Sequence, residues 1–167
     1  MAAEIEMPQP PRAPDLVAQR AAMRKLQFLV GEWEGQARVS RGPGQLADLA
    51  MTEKAQYKLD GLLLVIEGIG RAKSDGQPVL QALGIISYDE ENKTYRMRAF
   101  NDGRFLETEV TLSDNGKGMT WGFALGEFKT KAVLRINDDG EWAELHELFI
   151  GSQPPKKLME LSVRRTK

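Results

Sequence analysis

Seven turn signals recur along the chain from residue 42 onward, and they restrict its fold more than any other feature. They are Gly42-Pro43-Gly44, Asp60-Gly61, Asp75-Gly76, Glu91-Asn92-Lys93, Asp102-Gly103, Asn115-Gly116 and Asp139-Gly140. Asx-Gly pairs favour hairpins because type I′ turns need positive φ at both central residues. The stretches around and between them have strand character: Glu32–Ser40, Leu49–Leu59, Leu62–Ala72, Val79–Tyr88, Thr94–Phe100, Arg104–Leu112, Met119–Leu125, Phe128–Ile136, Glu141–Ile150 and Lys157–Arg165. Ten strands joined mostly by short turns make an antiparallel meander. A single sheet of that many strands must curl, and closing it removes edges that would invite aggregation. The sequence thus predicts an all-β fold, a ten-stranded antiparallel up-and-down barrel. Such a barrel is wider than side chains fill completely, which predicts an interior cavity.

Ahead of the strands the period is helical. Leu16, Met23, Leu26 and Val30 recur at spacings of seven, three and four, with Ala22 and Leu29 beside them. Asp15 suits an N-cap, Pro14 cannot carry the helix backwards, and Gly31 suits the stop. One amphipathic helix over 15–30 is expected, capping one end of the barrel. Pro8, Pro10, Pro11 and Pro14 argue for an extended, poorly ordered tail over residues 1–14. Residues 15–167 are then a single helix-capped domain, within the size range of one core.

Composition removes several classes of function. The net charge of -1 gives no general attraction to nucleic acid or to anionic membrane. No apolar run approaches the roughly 18 residues that span a bilayer. With no cysteine, disulfides, thiolate metal sites and thiol catalysis are excluded. The first residues lack a cationic start followed by an apolar stretch, so a cytoplasmic location is expected, an exported mature form being the alternative.

Alternation assigns the faces. In FLVGEWEGQARV, Phe28 to Val39, the residues Trp33, Gly35, Ala37 and Val39 share one side of a strand. Trp33 is then an inward aromatic, its flanking glutamates face solvent, and the small residues beside it allow close packing at a bend or barrel corner. Met119, Trp121 and Phe123 align in the same way, as do Phe128, Ala132, Leu134 and Ile136.

Gly31-Glu32-Trp33-Glu34-Gly35 resembles the G-x-W motif that opens the first strand of calycin barrels, the lipocalins and fatty-acid-binding proteins among them. In those families the tryptophan closes the barrel floor under an arginine of the last strand. The resemblance implies closure by Gly31, Trp33, Gly35 and Arg164, or Arg165 in place of Arg164. FLVGEWEG, YKLDGLLLVIEG, ALGIISYD, KTYRMRAF, DGR, EWAELHE and KKLMELSVRR together resemble a bacterial family of unknown function related to nitrobindin. That resemblance implies a ten-stranded lipocalin-like barrel and no particular activity. Nitrobindin binds haem through a histidine near its C-terminal end. The last strand here has none, which disfavours haem or nitric-oxide binding, and no cofactor or metal is expected.

The leading expectation is a non-enzymatic barrel holding a small hydrophobic or amphipathic molecule, lined by Trp33, Tyr57, Arg98, Trp121, Phe123 and His146. His146 is the sole imidazole and shares a face with Trp142, Glu144, Leu148 and Ile150. It suits a cavity role, ligation or a plain strand position. Tyr57, in phase with Met51, Glu53 and Ala55, could present a hydroxyl to a pocket or pack in the core with one hydrogen bond. Arg96 and Arg98 could pair with Glu107 and Glu109 across strands. Turned inward, Arg98 could instead hold a ligand's carboxylate or phosphate. Glu53, Glu67, Glu107, Glu109, Glu144, Glu147 and Glu160 read mostly as the wet face of the sheet. Two of them facing inward would allow an alternative, an isomerase or hydrolase using lumen carboxylates or a tyrosine. Gly68 and Gly70 read as bulges or bends. An exposed strand face could support a homodimer.

Overall fold

The computed structural model describes residues 10–167. The expected tail falls mainly on residues outside that range, and residues 10–15 form neither helix nor strand. Asp15 is the N-cap, its side chain accepting a hydrogen bond from the Ala18 N–H at 3.0 Å. The helix α1, Leu16–Met23, is shorter than the periodicity predicts. It tightens into a 3₁₀ segment over Arg24–Leu29. At three residues per turn, positions three apart fall on one line. Met23, Leu26 and Leu29 have that spacing, and all three are fully buried.

Ten strands follow: β1 (Gly31–Gly42), β2 (Gln45–Lys58), β3 (Leu63–Ala72), β4 (Pro78–Asp89), β5 (Thr94–Asn101), β6 (Arg104–Leu112), β7 (Gly118–Leu125), β8 (Phe128–Ile136), β9 (Glu141–Ile150) and β10 (Lys156–Arg165). Each pairs antiparallel with its sequence neighbours, and β1 pairs with β10 to close the barrel. Asp102-Gly103 forms the expected two-residue hairpin: both residues have positive φ, and Asn101 pairs with Arg104. At Asp75-Gly76, Asn115-Gly116 and Asp139-Gly140 only the glycine has positive φ, so these are longer loops. A bulge falls at Gly70/Arg71, as the glycines suggested, whereas Gly68 pairs regularly with Glu53 and Ala82.

The N-terminal segment seals one end of the cylinder. Tyr57 and Tyr95 reach from the wall and donate hydroxyl hydrogen bonds to the Met23 and Ala22 carbonyls, at 2.6 and 2.8 Å. The Trp33 indole N–H donates to the Leu29 carbonyl at 2.9 Å. These bonds satisfy carbonyls near the end of α1 and of the 3₁₀ segment, which a continuing helix would otherwise occupy. Trp33 packs edge-to-face on Trp142, with centroids 5.4 Å apart. Leu64, Ile86, Met97, Met119 and Leu134 fill the space around this floor.

Candidate functional site

Toward the other end the inward-facing residues open to solvent. On β9, Trp142 is buried, while Glu144, His146, Leu148 and Ile150 along the same face are only partly so. Phe123, on the inward face of β7, is 45% exposed. The molecule is a cup with a sealed floor. Its rim carries a groove of about 560 Å³ over Ala47, Leu49, Ala72 and Val79.

Polar chemistry gathers just above the floor. Glu144 accepts from the Trp142 indole N–H at 3.0 Å and faces the His146 Nε2 at 2.5 Å. Side-chain exposure is 10% for Glu144 and 28% for His146, so this pair borders solvent. The His146 ring meets Trp121 edge-to-face at 5.6 Å. Glu53, on β2, is the one charged residue buried outright among the described residues, at 8% exposure. It sits between Trp33 and Gly68 in the sheet. Burial pushes its carboxyl well above the usual carboxylate range, and the charge of Glu144 pushes it further. Among the described residues no protein group donates a hydrogen bond to it or forms an ion pair with it, and its oxygens are not wholly sealed from solvent. Glycine at 68 makes room for that carboxyl: a Cβ there would lie 2.7 Å from Oε1.

The predicted site residues divide. Trp121, Phe123 and His146 come together on the cup wall, with Trp33 in the floor below. Tyr57 is committed to the Met23 carbonyl. Arg98 is outside the barrel, its Nε 3.2 Å from Glu107, and Arg96 joins the same carboxylate at 3.1 Å. The inward residues of β5 are Tyr95, Met97 and Ala99, and that apolar phase turns both arginines to water. The cation over Trp33 is Arg165, 4.3 Å from the ring centroid, not Arg164. Arg165 also donates to the Val30 and Phe28 carbonyls, while Arg164 lies outside, 4.0 Å from Glu141. Gly31 has φ of 140°, and a Cβ at Gly35 would lie 2.1 Å from the Ser162 carbonyl oxygen, so β1 and β10 close on each other there.

Residues 19–165 match the family described as Protein of unknown function (DUF1579). The chain belongs to that family. A solved structure similar to this DUF1579 member is that described as Rv2717c from M. tuberculosis. The two share 16% identity and a TM-score of 0.67 over 87% of this chain and 98% of that one, a likeness of fold. No curated protein matches the chain. No helix among the described residues of this DUF1579 member is long and apolar enough to cross a membrane. Nor does any group of three His, Asp or Glu side chains among them gather to hold a metal ion.

Alternation alone could have singled out Glu53, since Leu49, Met51 and Ala55 around it on the same face are apolar. For Glu144 and His146 alternation gives only the shared face with Trp142 on β9, where the Trp142 indole and the His146 imidazole meet the Glu144 carboxylate. The contact of His146 with Trp121 comes from β7, two strands away, and is not visible in that pattern.

Proposed function

We propose that this DUF1579 protein binds a small hydrophobic or amphipathic molecule in the open half of its barrel. The observation that carries this reading is a set of inward side chains, Trp121, Phe123, Glu144 and His146, left partly open to solvent above a floor packed shut. A wall of aromatic rings with a few convergent polar groups is the usual make-up of a small-molecule site. The reading requires no cofactor. His146 is turned to Glu144, and the last strand offers no histidine for haem. Native mass spectrometry of unsupplemented protein, together with titration of an environment-sensitive apolar fluorophore, tests it. The wild type is expected to carry or take up one molecule, and Trp121→Ala to weaken uptake about tenfold or more, the worth of a well-packed aromatic contact. A wild type that carries nothing and leaves the fluorophore unchanged would refute it.

A second reading is favoured by one observation: a buried carboxyl held toward its protonated form stands near a carboxylate–imidazole pair. Such a division into acid and base suits proton transfer on a bound substrate, as in an isomerase or hydrolase. It requires that Glu53 titrate well above the ordinary range in ¹³C NMR of labelled glutamate. A normal titration would remove it.

A further inference from the structure

Resting on the binding reading, we propose that the barrel lumen selects an apolar amine, its ammonium between Glu53 and Glu144 and its hydrocarbon against Trp121 and Phe123. Two acids sit on the lumen face, and they are not equivalent. Both oxygens of Glu144 are engaged, by Trp142 and His146. Glu53 is more than nine-tenths buried and receives no donor from the protein among the described residues, and its neighbour at 68 is a glycine that leaves room for its carboxyl. An unpartnered acid in such a position is costly unless something else completes it.

Among the described residues no lysine or arginine pairs with Glu53. Arg165 is held at the floor beneath Trp33 by two backbone carbonyls. Arg41 is at the rim, donating to the Val79 carbonyl at 2.8 Å. Arg96 and Arg98 are spent on Glu107 outside. A ligand carboxylate seated beside Glu53 would therefore meet two acids, with no lysine or arginine bonded to either among the described residues. A neutral acceptor could satisfy Glu53 alone. An ammonium satisfies Glu53, relieves its repulsion with Glu144, and suits the indole of the adjoining wall.

The charge that acts on Glu53 is that of Glu144 from β9, which His146 bonds, while Arg165 of β10 lies over Trp33, the β1 register partner of Glu53. Its β3 neighbour Gly68 contributes no charge. Seating an ammonium there makes Glu53 release its proton, a signature that a structural acid would not give.

The test uses three probes with one fluorophore and one alkyl spacer: dansylcadaverine, which ends in an ammonium, its methyl-terminated analogue, and its carboxylate-terminated analogue. The ammonium probe is expected to bind the wild type about tenfold or more tightly than the methyl probe, and the carboxylate probe least. Glu53→Gln is expected to bring ammonium and methyl probes within about twofold. Calorimetry of the wild type in two buffers of different ionisation enthalpy is expected to show proton release with the ammonium probe alone. Equal affinity for ammonium and methyl probes, preference for the carboxylate, or no proton release would overturn the amine assignment and leave the general binding reading standing. Failure of all three probes to bind would overturn both.

Discussion

Gly35 and Gly68 illustrate how one missing Cβ can serve two different purposes. At Gly35 the obstacle is the Ser162 backbone at 2.1 Å, which cannot move without opening the β1–β10 seam. At Gly68 it is the Glu53 carboxyl, the end of a flexible side chain. Gly35→Ala should therefore lower stability by about 2–3 kcal/mol, and Gly68→Ala by about 1 kcal/mol or less while displacing Glu53. Urea unfolding of the two variants checks the contrast. Glu53 itself makes a prediction of definite sign. Its carboxyl is raised in the folded state, so folding takes up a proton between the unfolded and folded pKa values. The stabilisation is full below the unfolded value and is lost as pH rises through the folded one. As pH rises above the ordinary glutamate range the wild type should thus lose stability relative to Glu53→Gln, and paired unfolding curves at several pH values measure the difference. Arg98 was expected in the lining, although its outward direction was legible at this scale, since Tyr95, Met97 and Ala99 mark the inner face between the arginines. The worth of Glu53 was not. Alternation shows an acid among apolar neighbours but not that no donor reaches it.

Among the elements, the N-terminal segment departs most from its sequence pattern. Spacings of three, four and seven suit a continuous helix, and the stop at Gly31 was correctly placed. The change to 3₁₀ geometry after Met23 follows from what the floor requires, a line of side chains three apart and carbonyls turned to Tyr57, Tyr95 and Trp33. Tyr57→Phe and Tyr95→Phe each remove one such bond and should cost about 0.5–1.5 kcal/mol, with thermal unfolding as the measure. The strand runs themselves were legible to within a few residues because the period of two and the turn glycines agree. What no pattern of that kind shows is the state of each seam. Between β6 and β7 only Thr111 with Thr120 and Leu112 with Met119 are in register. Beyond them the Thr108 hydroxyl bridges to the Gly122 carbonyl at 2.6 Å. Backbone amides of β6 and β7 toward the rim should therefore exchange with deuterium fastest among the strands, and Thr108→Val should speed them further.

For the molecule as a whole, closure depends on the junction of first and last strands. Arg165 bonds there to two carbonyls and stacks on Trp33, whereas Arg164 points to water. Arg165→Ala should cost about 1–2 kcal/mol, moderated by the exposure of that side chain, and Arg164→Ala less than about 0.5 kcal/mol. Thermal unfolding of the pair distinguishes them. That some arginine would sit over Trp33 was implied by the resemblance. Which one was not, because the choice between neighbouring residues depends on the register of β10 against β1. The same junction fixes where the chain's described extremities lie. Glu32 exchanges backbone hydrogen bonds with Thr166 and Lys167, and the Asp15 N–H bonds to Glu90 in the β4–β5 turn, beside α1. Both extremities thus gather at the closed end of the cup. A fusion tag or surface tether attached through Lys167 would leave the mouth facing bulk solution, a ready-made orientation for a sensor chip.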